Sequence, residues 1–85
     1  MIDLSSGRHE TKYMVFSLIG KHGQLQDWEV SNKKGAYPLG QIGYLFAWHQ
    51  YVFMPGISTE FNNSCLTEIT EVLSTLNKTT HQGKD

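Results

Sequence analysis

The chain has 85 residues, 39% of them apolar and 18% charged, with a net charge of −1 when its histidines are neutral. That length allows one domain with a single thin core, and the charge balance excludes both the strong positive field of a dedicated duplex-DNA binder and a heavily acidic mimic of DNA. Cys65 is the single cysteine and cannot make an internal disulfide; the opening residues lack the apolar core of a secretion signal, so a reducing cytoplasm is the expected location.

Residues 1–11 mix Ser, Gly, Arg, His and Glu without a period and read as a flexible lead. From Lys12 to Ile19 the β-branched and aromatic residues Tyr13, Val15, Phe16 and Ile19 favour a strand, and Gly20 to Gly23 supplies a break. Asp27 to Ser31 alternates polar and apolar, with Trp28 and Val30 on one face and Asp27 and Glu29 on the other. Asn32-Lys33-Lys34-Gly35 is a hairpin turn. The return strand runs from Tyr37 to Tyr44, where Pro38 must sit at the strand start or on an edge and Gly40 and Gly43 invite a bulge. After Leu45-Phe46-Ala47, a last strand from Trp48 to Met54 places Trp48, Gln50, Val52 and Met54 on one face and His49, Tyr51 and Phe53 on the other.

Pro55-Gly56 ends the sheet, and a loop leads into a helix capped by Asn63 or Ser64, with Glu68 in its first turn. Leu66, Ile69, Leu73 and Leu76 recur at helical steps, with Val72 broadening the stripe. The expected architecture is therefore an α+β domain over 12–78: a twisted antiparallel meander of three or four strands with one C-terminal helix packed across one face. Residues 79–85 read as a frayed tail. The longest apolar runs are too short to span a bilayer, and the triplets Asn62-Asn63-Ser64 and Asn77-Lys78-Thr79 match a glycosylation pattern that has no meaning without secretion.

Reactive constellations do not emerge. The histidines His9, His22, His49 and His81 lack metal-ligand spacing, Cys65 has no neighbouring base, and Glu68 and Glu71 fall on the wet side of the helix. Gly20-Lys21-His22-Gly23 matches no phosphate cradle. No enzyme activity, metal or cofactor is expected. What remains is aromatic surface, much of it between Trp28 and Phe61. One helix with about five apolar residues is narrow cover for a sheet face, so Tyr51, Phe53 and Tyr44 or Phe46 are expected to project on the opposite face or its rim, unless residues 12–19 or 57–61 fold over them.

Trp28-x-Val30, Gly35, Leu39-Gly40-x-Ile42, Trp48-x-x-Tyr51-x-Phe53-x-Pro55, Phe61 and Cys65-Leu66-x-x-Ile69 together resemble a group of small uncharacterised proteins encoded by phages and mobile elements. The match covers about half the chain, and Gly43-Tyr44 and His49-Gln50 depart from it where more basic or Trp-rich residues are expected. The resemblance implies a hairpin-rich sheet before a terminal helix and supports fold more than mechanism.

The leading expectation is a noncatalytic protein-binding module of phage or mobile-element type, an inhibitor of a host enzyme or defence complex, touching its partner through Tyr44, Phe46, Trp48, Tyr51 and Phe53. The alternative is a single-stranded nucleic-acid binder that stacks bases on Trp48, Tyr51 and Phe53 while Lys33 and Lys34 touch phosphate; two clustered lysines make nucleic acid the lesser choice. A small-ligand protein, ranked last, would need a pocket near Trp28 and Trp48. The low charge fraction suits a homodimer, and no membrane is involved.

Overall fold

The computed structural model describes residues 2–80. It contains five strands, β1 (Arg8–Glu10), β2 (Met14–His22), β3 (Leu25–Asn32), β4 (Pro38–Leu45) and β5 (Gln50–Pro55), followed by one helix, α1 (Asn63–Thr80). All strands join one antiparallel sheet in the order β1-β2-β3-β4-β5. The α+β meander with a C-terminal helix is the expected one, but the sheet has five strands rather than three or four.

The additional strand comes from the segment read as a lead. Arg8, His9 and Glu10 pair with Ser17, Phe16 and Val15, and the Leu18 amide donates to the Gly7 carbonyl at 2.9 Å. Three residues are too few to display an alternation, so this strand is created by the hydrogen-bonding edge of β2 rather than by its own pattern. Upstream of it, Ile2 and Leu4 pack against the core and help the helix cover the sheet. The tail expected to fray is helical through Thr80, and 81–85 lies outside the described residues.

The turns explain the other shifts of boundary. β2 does not stop at Gly20; it absorbs a bulge between Leu18 and Gly20 and continues to His22, so the reversal takes only Gly23-Gln24, with Gly23 at φ +66° as a two-residue hairpin requires. In the next turn the Asn32 side chain accepts from the Lys34 amide at 2.9 Å, and its backbone amide donates to the Tyr37 carbonyl. Pro38 opens β4, where its missing donor costs nothing, and the register slips between Val30 and Ser31. Residues 46–49 form the last turn, so β5 starts two residues later than the aromatic pattern suggests.

Register then assigns the faces. The cross-strand pairs Phe16 with Val30, Leu18 with Trp28, Trp28 with Ile42, Ile42 with Phe53, and Tyr44 with Tyr51 all lie on one face, and it is the face that packs under the helix. Trp28, on the central strand, is fully enclosed, as are Phe16, Met14, Ile42, Val30 and Val72. The opposite face carries Ser17, Glu29, Ser31 and Gln41, which are suited to water, together with Val15, Val52 and the half-exposed Met54.

The helix cap lies one residue before the two expected ones. Asn62 is the cap: its side-chain oxygen accepts from the Cys65 amide at 2.8 Å and its carbonyl from the Leu66 amide at 3.0 Å. With the start at Asn63, Glu68 belongs to the second turn, away from the dipole end. The buried stripe is Ile69, Val72 and Leu76, flanked by the partly buried Cys65 and Leu73, whereas Leu66 is half exposed. The helix lies mainly over β5, and its Asn77 fastens that edge. The Tyr51 amide donates to Asn77 Oδ1 at 2.6 Å, while Asn77 Nδ2 donates to the Tyr51 carbonyl at 3.4 Å. The side-chain amide thereby acts as a one-residue strand on an otherwise open edge.

Two further contacts fix the sheet to itself. The Tyr51 hydroxyl accepts from the Gln26 amide at 3.0 Å, and the Trp28 indole donates to Gln26 Oε1 at 2.8 Å. At Gly40 a Cβ would stand 2.9 Å from the Phe53 ring and 2.5 Å from the Met54 carbonyl oxygen, so only glycine lets Phe53 lie flat across β4.

Replacing Asn77 with Ala leaves the Tyr51 amide and carbonyl without partners beneath the helix. The expected cost is about 1–3 kcal/mol, read as a lowered urea midpoint at constant m value. An unchanged midpoint would show that water replaces the side chain freely.

Candidate interaction surface

A row of aromatic side chains runs out of the core at the turn between β4 and β5. Tyr44, near the end of β4, lies on the buried face and meets Tyr51 edge-on, with centroids 5.3 Å apart at 82°. Phe46, at the start of the turn, meets the other side of Tyr44 at 5.2 Å and 74°. The three rings form a row from the core to solvent, each in the edge-to-face arrangement that the ring quadrupole favours. At its outer end Phe46 is 69% exposed, and Trp48 beside it on the turn is 65% exposed.

The turn itself is closed by backbone hydrogen bonds, Trp48 amide to Leu45 carbonyl at 3.1 Å and His49 amide to Phe46 carbonyl at 3.2 Å. His49 takes φ +56°, the left-handed conformation that brings the chain round into β5. This is a backbone-braced tip, and it holds two large apolar rings in water.

The expected partner-binding residues therefore divide. Phe46 and Trp48 are exposed together and Tyr44, partly buried, supports them. Tyr51 is a correction: at 3% exposure it belongs to the core. Phe53 is a second, sitting partly buried on the same face beneath Phe61, with centroids 5.3 Å apart at 85°. The alternation of β5 was legible, but not which of its faces turns inward. Phe61 from the loop, together with Ile2 and Leu4, supplies cover that a single helix cannot.

Lys33 and Lys34 stand at the other end of the sheet. β3 and β4 each have eight residues, and the lysine turn and the Phe46–Trp48 turn cap opposite ends of β4, roughly 26 Å apart along the strand. A stacking platform of Trp48, Tyr51 and Phe53 beside these lysines does not assemble. Nor does a small-ligand pocket between the two tryptophans, since Trp28 is sealed inside the sheet and Trp48 is on the tip.

Sequence reasoning missed what surrounds the lysines. Lys12 and Tyr13 line a shallow groove with Asn32, Lys33 and Lys34, and Tyr37 is 55% exposed on the same turn. The nearby Glu10 carboxyl is held below its usual range, first by the Arg8 side-chain hydrogen bond at 2.7 Å and then by the charge of Lys33. Elsewhere His22 Nε2 lies 3.0 Å from Asp27 Oδ2, and Cys65 is a free thiol packed at the core margin. Among the described residues no three His, Cys, Asp or Glu side chains gather as metal ligands, and no helix is long and apolar enough to cross a membrane.

No family model, curated protein or solved structure matches the chain.

The core and surface assignments separate two aromatic substitutions. Tyr51→Ala is expected to cost about 3–5 kcal/mol of unfolding free energy, as for other large core rings. Trp48→Ala is expected to cost about 0.5 kcal/mol or less, as at other exposed positions. Urea titrations of both variants check the pair; equal losses would mean that Trp48 is packed.

Proposed function

We propose that the protein is a noncatalytic binding module that inserts the Phe46 and Trp48 tip, backed by Tyr44, into an apolar cleft on another protein. The observation that carries this reading is the exposure of both rings on a turn whose backbone is hydrogen-bonded closed. Exposed aromatics of this size each offer on the order of 150–250 Å² for burial, and Trp and Tyr are among the residues that dominate interface energies. Because Phe46 packs edge-to-face against Tyr44 and Tyr44 against Tyr51, part of the ordering cost of binding is met before the partner arrives.

The resemblance to phage and mobile-element proteins supports a target among host enzymes or defence complexes, inhibited by occupation of their surface. Cytoplasmic residence accords with a lone unpaired cysteine. A second copy of the chain is the other candidate occupant of the tip. The stacking-platform reading with nucleic acid is weaker, having lost Tyr51 and Phe53 to the core face.

Capture from host lysate with the tagged wild-type chain and with the Phe46→Ala, Trp48→Ala double variant tests the proposal. A partner retained by the wild type should be lost by the variant, and with the purified partner the affinity should fall about 30-fold or more, the loss associated with an interface hot spot. Identical capture by both chains, or recovery of background proteins alone, would overturn it. Light scattering over a dilution series separates self-association from a foreign target.

A further inference from the structure

At the end of the sheet away from the tip, two turns distant in sequence are fastened together. The Lys33 amide donates to the Tyr13 carbonyl at 2.8 Å, and Lys33 Nζ donates to the Thr11 carbonyl at 3.2 Å. The result is a groove of about 410 Å³ lined by Lys12, Tyr13, Asn32, Lys33 and Lys34. Among the described residues, neither Lys12 nor Lys34 is in an ion pair, and the carboxylate nearest in charge, Glu10, is hydrogen-bonded to Arg8. Three lysines thus line one concavity.

One phenol ring, Tyr13, lines it, and a second, Tyr37, is joined to its Asn32 wall. Lys12 Nζ stands 5.4 Å above the Tyr13 ring. Tyr37 is pinned by its hydroxyl, which accepts from Asn32 Nδ2 at 2.8 Å, and leans on the turn at Gly35, leaving 55% of its surface open. Closely spaced point charges suit successive phosphates, and a fixed open ring suits an unstacked base. A duplex hides its base faces, and three lysines on a chain of net charge −1 give it little hold.

We propose that this groove is a second site, separate from the aromatic tip, that binds single-stranded nucleic acid through Lys12, Lys33 and Lys34 on the phosphates and Tyr37 on a base. It differs from a platform on the sheet: no ring from β5 takes part, and the tip is not involved.

Fluorescence anisotropy of a labelled oligothymidine over a salt series tests it with the full chain. Three neutralised phosphates give a slope of log K against log salt of about −2, and Lys34→Gln should make it shallower by about 0.7. Tyr37→Ala should weaken binding about tenfold with the slope unchanged, as expected for loss of one stacked base. Trp48→Ala should change neither quantity, which separates this site from the tip. The double variant Lys12→Gln, Lys34→Gln keeps the Lys33 bond that joins the two turns, and the emission of buried Trp28, read with the exposed Trp48 replaced by Phe, reports that its fold is retained. Absence of binding at low salt, binding that survives the double variant, or displacement of the oligonucleotide by an oligoglutamate of equal charge at equal concentration would each overturn the assignment.

Discussion

Tyr51 is the residue through which sheet and helix are held as one body. Its ring closes the buried face between Tyr44 and the helix, its hydroxyl takes the Gln26 amide, and its backbone is clasped by Asn77. Gln26 in turn accepts the indole N–H of Trp28, so the largest buried side chain, the central strand, the edge strand and the end of the helix meet in one hydrogen-bonded group. Each of these polar groups is wholly or partly withdrawn from water, where an unmade hydrogen bond costs more than a made one contributes. The arrangement is therefore specific: a slip of one residue in β5 would turn Tyr51 outward and take its hydroxyl away from the Gln26 amide.

That constraint accounts for the two sheet edges. β5 is shielded by Asn77 at one end and lacks a donor at Pro55 at the other, and β1 is only three residues long with an Arg8–Glu10 ion pair. Short, charged or proline-bearing edges resist strand addition. With its edges blunted, the sheet offers no ready edge for strand addition, and its outer face mixes polar side chains with Val15, Val52 and Met54. The exposed rings stand instead at its two ends, on turns.

Alternation within β3, β4 and β5 made the strands and the meander readable from Trp28, Val30, Ile42, Tyr51 and Phe53, and the three- and four-residue steps of Ile69, Val72 and Leu76 made the helix readable too. Local chemistry set these features. The rest depended on contacts remote in sequence. β1 exists because β2 has an edge to offer, and the inward turn of Tyr51 depends on Asn77, 26 residues later. Asn62 rather than Asn63 caps the helix because its side chain reaches the Cys65 amide, a choice that three consecutive polar residues leave open to sequence reasoning. Phe46 and Trp48 are exposed because the chain turns after Leu45, and Trp48, expected as the first residue of the last strand, lies on that turn. The lysine groove was hidden because Lys12 and Lys33 become neighbours only when β2 pairs with β3.

The two ends of the sheet also differ in how their rings are held, and this bears on what each can recognise. At the tip, Phe46 rests edge-on against Tyr44, an apolar ring held by another ring rather than by a charge. Such a surface gains most from complete removal of water and is suited to a shaped cleft. At the groove, Tyr37 is held through its hydroxyl by Asn32 and its ring face is left open beside ammonium groups. Charge there acts over a Debye length of about 8–10 Å and tolerates imperfect fit, which suits a flexible polyanion whose bases need not be read. Because β4 carries the tip at one end and begins at the lysine turn at the other, both surfaces are positioned by the same strand, and Gly40, which admits Phe53 across it, helps keep that strand flat against the core.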